Sequence, residues 1–287
     1  MNYLSTADRT RIVAALVEGN SLRSISRMTG FSLNTINKLL LELGMACEAY
    51  HAANVKGLQC KRVQCDEIWS FVGAKMKNVT MEQANAGMGD VWTWTALDAE
   101  TKLIVSYLVG QRGPRWANAF MEDVALRIDS RVQITTDGHR AYVEAVEGAF
   151  GMDVDYAMLI KQYGNDAVDT RYSPGEVVSV TNVIVQGSPD PRHISTSFVE
   201  RQNLTMRMGM RRFTRLTNGF SKKIENHTAA IALHFMHYNF CRVHKTLRVT
   251  PAMEAGLAHR VWTVEELVSI LPEPVAKKRG TYKKRVA

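Results

Sequence analysis

The chain has 287 residues, 46% hydrophobic and 22% charged, a mixture that supports a packed core of one or two domains and excludes a mainly disordered chain. No apolar run reaches the roughly 18 residues of a membrane span, and the first nine residues lack the basic-then-apolar order of a signal peptide, so a cytoplasmic protein with no membrane partner is expected. The net charge of +8 is unevenly spread: residues 51–199 carry −4 and residues 200–250 carry +8, so an acidic middle fit to hold divalent metal precedes a basic stretch fit to hold phosphate.

In chain order, Thr6-Ala7-Asp8 predicts the start of a helix running to about Glu18, and Gly19-Asn20 ends it. The run Ser21–Leu41 has the spacing of a helix-turn-helix. Ser26 is small where two helices must meet, Gly30 can take the positive φ of the turn, and Ser32 is placed to cap the second helix. Ser32, Asn34, Thr35 and Lys38 would then face a DNA major groove. Residues 1–46 are expected to form this DNA-binding domain and 47–61 a linker. Cys60 and Cys65 fall around the end of that linker, but no second close pair completes a zinc site.

The period then changes. Val63–Phe71, Val91–Leu97 and Lys102–Val109 read as three strands, with a turn at Asp98-Ala99-Glu100-Thr101. Pro114 opens a helix to about Arg127, and Val132–Thr136 is a fourth strand ending at Asp137-Gly138. A helix to about Glu147 and a strand over Val154–Gln162 follow. Residues 164–193, with Pro174, Pro189 and Pro191, read as irregular, and a helix begins near Ser195. Strands first antiparallel and then alternating with helices predict an α/β domain with a mixed sheet over 62–260, followed by a C-terminal helix and basic tail over 261–287.

Three carboxylates occupy particular places in this pattern. Asp66 lies within the first strand, Asp137 at the end of the fourth, and Glu200 on the helix after residue 195. Taken singly, each is as easily a turn or surface acid. Brought together by adjacent strands and a crossing helix, they are the hard oxygen donors that suit Mg²⁺ or Mn²⁺. Two such ions can activate a nucleophile and stabilise a leaving oxygen at phosphorus. Glu67, next to Asp66, should point to the other face of the strand and ranks lower as a ligand.

The blocks Cys65-Asp66-Glu67-Ile68-Trp69-Ser70-Phe71-Val72-Gly73, Thr135-Thr136-Asp137-Gly138-His139-Arg140-Ala141-Tyr142 and Ser197-Phe198-Val199-Glu200-Arg201-Gln202-Asn203 resemble the three acidic blocks of bacterial insertion-sequence DDE transposases, above all those of the IS-one family. The acids are separated by 70 and 62 residues, and Tyr238–Leu247 with Thr250-Pro251-Ala252-Met253 resembles the end of that catalytic domain. The resemblance implies an RNase H-like fold and a DNA transposase that cleaves element ends and joins the 3′-OH to target DNA. It implies Asp66, Asp137 and Glu200 as ligands of two Mg²⁺ or Mn²⁺ ions, and Arg207, seven residues after Glu200, as a catalytic contact to phosphate. Its partners would be double-stranded terminal inverted repeats and target DNA, bound by a homodimer or higher oligomer. A nuclease of the same fold and a noncatalytic helix-turn-helix regulator are the alternatives.

Arg211, Arg212, Arg215, Lys222 and Lys223 form a cationic stretch just past the third acid and are expected to contact phosphates. The tail Lys277–Arg285 would add nonspecific DNA affinity. Trp92 and Trp94 share a strand face and are expected in the core, and His139, His234, His237 and His244 read as structural rather than metal-binding.

Overall fold

The computed structural model describes residues 4–164, 176–214 and 217–272. Strand β1 (Arg62–Val72) has a different kind of neighbour on each side. On one side β2 (Gly89–Asp98) runs antiparallel to it, from Val63↔Asp98 to Val72↔Gly89. On the other, β4 (Val132–Thr136) is parallel and pairs only as far as Gln64↔Thr135. β3 (Ile104–Gly110) extends the antiparallel side, β5 (Val154–Tyr163) is parallel to β4, and β6 (Val177–Gln186) is antiparallel at the far edge. The sheet order is therefore β3-β2-β1-β4-β5-β6, a mixed α/β sheet as expected.

Side-chain alternation decides what covers each face of β1. Gln64 and Asp66 point to one side, where α7 (Ser197–Gly209) packs across β1 and β2. Glu67 points to the other, toward α6 (Ala141–Phe150), which packs on α5 (Pro114–Ala125). All five residues of β4, which is paired on both edges inside the sheet, are buried. Of the two tryptophans expected in the core, Trp94 is fully buried and its Nε1 donates to Gln111 O at 3.2 Å, whereas Trp92 is only half-buried.

The N-terminal helices are α1 (Thr6–Val17), α2 (Leu22–Thr29) and α3 (Leu33–Asn54). Ser5, one residue before the expected start, caps α1. Gly30 ends α2 at φ +78°, and the Ser32 side chain accepts from Thr35 N to begin α3, both as expected. Ser26 Oγ donates to Phe31 O at 2.6 Å across the turn.

The expected boundary at 46 and linker at 47–61 differ from the structure. α3 continues to Asn54, because Leu40, Leu43, Gly44, Cys47 and His51 carry one buried stripe past residue 46 at helical spacing. That stripe packs on α8 (Ile224–Phe240) so closely that a Cβ on Gly44 would lie 2.4 Å from Ala229 Cβ. The His51 Nε2 and Asn239 Nδ2 atoms both bond to Ile104 O of β3. One hydrophobic core thus runs from Ile12, Ile36 and Leu43 into the sheet layer.

Further elements escaped the sequence reading, among them α4 (Met81–Asn85), the short helix over Pro251–Glu254, and β6, which lies within the stretch expected to be irregular. α9 (Pro251–Glu254) and α10 (Val264–Ser269) close the described chain, and α10 packs against α1. Among the described residues no helix is long and apolar enough to cross a membrane. Arg215 and the basic tail at 277–285 lie outside the described residues.

Candidate active site

The candidate site forms where β1 and β4 part. β4 ends at Thr136 while β1 runs on to Val72, so the side chains just past their last pair face a gap. One carboxylate oxygen each from Asp66, Glu67 and Asp137 lie within 4.8 Å of one another there. A cleft of about 650 Å³ opens over them, and Glu200 of α7 and Lys161 of β5 line it with Asp66 and Asp137.

Each acid is held differently. Asp66 Oδ2 accepts from Asn203 Nδ2 at 2.8 Å, one helical turn after Glu200 on α7. Burial, with the negative charges of Glu67, Asp137 and Glu200, pushes the Asp66 carboxyl up to about 7. Asp137 Oδ1 accepts the His139 backbone N–H at 2.9 Å, the local turn bond typical of an Asp-Gly corner. Glu67, its side chain 1% exposed, has both oxygens occupied: Arg112 Nε donates to one at 2.7 Å and the Tyr142 hydroxyl to the other at 3.0 Å. Burial and Asp137 raise the Glu67 carboxyl, while Arg112 and Tyr142 oppose that rise. The same guanidinium lies 3.7 Å from Asp137 Oδ2, so Arg112 bridges two of the three acids from the rim of the cleft.

The helix that carries Glu200 is fixed from the sheet. The side chain of its N-cap residue, Thr196, bonds no backbone N–H. Instead Gln64 Oε1 accepts from Phe198 N at 2.8 Å and Val199 N at 3.2 Å, satisfying donors at the start of α7 from two residues before Asp66. Glu200 itself accepts from Thr196 Oγ1 at 2.6 Å and forms an ion pair with Lys161. Glu200 thus shares the cleft but is not in the tight group, which holds Glu67 instead.

The other expected residues are more scattered. Arg207, two turns beyond Glu200, is about 10 Å further along the helix and is not among the side chains lining the cleft. Ser32, Asn34 and Lys38 are exposed on the first turns of α3, Thr35 is partly buried, and Lys38 lies 3.8 Å from Glu42. Arg211, Lys222 and Lys223 are exposed. Arg212 departs from its expected surface role. Its guanidinium is half-buried, Nε donates to Ser221 Oγ at 2.8 Å, and burial lowers its pKa to about 10. Ser221 also contacts His227 Nδ1 at 3.2 Å, so Arg212 belongs to an internal polar network.

Sequence reasoning missed Arg112, Lys161, Asn203 and Gln64, whose partners are distant in the chain. It had the signal for Asn203, three residues from Glu200 on one helix face.

The donor set fits a hard divalent ion. It consists of carboxylate oxygens with no histidine or cysteine among them, and the burial and mutual repulsion that raise Asp66 are what a bound cation relieves.

No protein-family model matches the sequence, and no curated protein matches it. Among solved structures the chain is similar to the piggyBac transposase synaptic complex with hairpin DNA, determined by cryo-EM, with 9% identity, 93% of this chain and 69% of that chain covered, and a TM-score of 0.41. It is also similar to the Mos1 transposase paired-end complex with left transposon end, with 13% identity, 54% of this chain and 60% of that chain covered, and a TM-score of 0.22.

Proposed function

We propose that the protein is a DNA transposase with an RNase H-like catalytic fold, a metal-dependent polynucleotidyl transferase that cleaves element ends and joins the freed 3′-OH to target DNA. The observation that carries this reading is the pair Asp66 and Asp137 beside the end of the β1–β4 ladder, with Glu200 delivered to the same cleft by α7. Asp66, Asp137 and Glu200 would hold two Mg²⁺ or Mn²⁺ ions. When bound, the metal supplies Lewis-acid activation of the attacking oxygen and stabilises charge on the leaving oxygen.

The protein's own groups do the rest. Asn203 fixes the orientation of Asp66, and Gln64 fixes the first turn of α7 and so the approach of Glu200. Glu67, with both oxygens bonded, braces Arg112, whose remaining N–H groups are available to a phosphate oxygen at the rim. Lys161 neutralises Glu200 before metal enters. The exposed starts of α3 and the cations Arg211, Lys222 and Lys223 supply DNA contacts, with α2 and α3 as a helix-turn-helix. Joining two element ends calls for at least two copies.

The test is incubation of purified protein with duplex element ends, target DNA and Mg²⁺, followed by sequencing of junctions. Joined products are expected. Cleavage without joining would make the protein a nuclease of this fold, and binding without cleavage would make it a regulator.

A further inference from the structure

Helix α7 has a second working face. Glu200 and Asn203 serve the carboxylate cleft, while Phe198, Arg201, Gln202 and Thr205 recur at helical spacing on the other side. There the helix and the segment after α8 enclose a hollow of about 200 Å³ lined by Lys102, Arg201, Arg242, His244 and Lys245.

No carboxylate lines this hollow. Among the described residues Arg201, Arg242 and Lys245 form no ion pair. The acids nearest Lys102 are already engaged: Asp98 accepts from Thr101 Oγ1 at 2.6 Å, and Glu100 is paired with Arg62. Arg201, Arg242 and Lys245, gathered around one hollow with Lys102 and without ion-pair partners of their own, repel one another, and an anion removes that repulsion. Gln202, 2% exposed, also contributes to the wall of the hollow.

The aromatic rings of Phe198 and Tyr238 offer no open stacking surface for a base: Lys102 covers Phe198, its Nζ 3.4 Å from the ring centroid, and Tyr238 is 7% exposed. The cationic lining suits a phosphate oxyanion. The hollow and the carboxylates lie on opposite sides of α7, about 10 Å apart by helix diameter. That is about three nucleotides at ~3.4 Å of rise along one strand.

We propose that this hollow is a phosphodiester-binding subsite that grips the DNA strand a few nucleotides from the carboxylate cleft. The assignment of DNA as the source of the phosphate rests on the function proposed above, whereas the need for a phosphate oxyanion does not.

The test uses the full chain and the double variant R201Q/R242Q, which removes two exposed charges and no core packing. Inorganic phosphate should raise the melting temperature of the wild type over chloride at equal ionic strength, and should not raise that of the double variant. Without divalent metal, duplex DNA affinity should fall about tenfold in the double variant at 0.1 M salt. Its slope of log K against log salt should flatten by about 0.9, the value for one lost phosphate. A phosphate effect that survives in the double variant, or is absent from the wild type, overturns the subsite. A lost phosphate effect with an unchanged DNA slope overturns DNA as the source and leaves a site for free phosphate. If the slope changes as expected but the wild type does not cleave with Mg²⁺, the subsite stands and the transposase reading falls.

Discussion

Asp66 and Asp137 each stand two residues beyond Gln64↔Thr135, the last pair of the β1–β4 ladder, so their carboxylates meet where two parallel strands part. The position is the switch between the antiparallel and parallel halves of the sheet, and such crevices at strand carboxyl ends are where open α/β sheets bind ligands.

Burial of Asp66, together with the repulsion built into that meeting, has a measurable cost. The Asp66 carboxyl is raised to about 7 in the folded protein, against 3.8 in the unfolded chain, so the folded state holds its proton more tightly between those values. Metal-free stability should therefore fall as pH rises from about 4 to about 7 and then level off. The full cost at pH 8 is on the order of 4 kcal/mol. Asp66→Asn should melt roughly 5 °C or more above the wild type at pH 8 in chelator, with a smaller gain at pH 5. Mg²⁺ should raise the wild-type melting temperature and leave the variant unmoved. Equal gains at both pH values would remove the electrostatic account.

Gln64 links the two halves of the site. Gln64→Leu leaves Phe198 N and Val199 N without their acceptor in a buried setting. A loss of roughly 2–4 kcal/mol in stability is expected from two unpaired donors. Cleavage should fall further than DNA binding, because Glu200 rides on that first turn. Measuring both on the same preparation checks this, and a parallel fall would reduce Gln64 to a folding role.

Much of this arrangement is legible in the residues themselves. Strand patterning finds β1 to β5, and the turn chemistry of Asp137-Gly138 and the helix after Ser195 mark where acids can converge. Glu67 is the instructive partial exception. Alternation correctly sends it to the opposite face from Asp66, but the strands separate there, so both faces open into one gap. Arg112 and Lys161 sit 45 and 39 residues from their partners Glu67 and Glu200, and no local pattern ties such positions together. β6 is uncharged and β-branched, yet the prolines around it read as loop, and as an edge strand it is exposed on both faces and has no half-buried alternation to report.

The continuity of α3 changes what truncation should do. Gly44 abuts Ala229 with no room for a methyl group, so the N-terminal helices and α8 share one packed surface. Gly44→Ala should cost about 1–3 kcal/mol by overpacking, more than its helix propensity returns. Removal of residues 1–45 would uncover the apolar face of α8, and the remainder is expected to be insoluble or to melt without a cooperative transition. A soluble, cooperatively folding fragment would show that the shared surface is dispensable.

Catalysis and binding should separate cleanly at Asp137. Asp137→Asn keeps the size of the side chain and an oxygen to accept the His139 N–H, but removes a charge the proposed metal requires. The variant should bind end DNA at near wild-type affinity, slightly tighter if anything, since one carboxylate no longer repels phosphate. It should give neither 3′ cleavage nor strand transfer. Arg211→Ala with Lys222→Ala should behave oppositely, because both side chains are exposed beyond the cleft. Binding should weaken, the salt slope should flatten by about two units at ~0.9 per lost phosphate contact, and cleavage should recover at low salt. Arg212→Ala should instead lower the melting temperature, because its guanidinium is bonded to Ser221 inside the fold. Normal cleavage by Asp137→Asn would end the carboxylate assignment. Loss of binding and cleavage together, with a lowered melting temperature, would mean that Asp137 holds the turn rather than a metal.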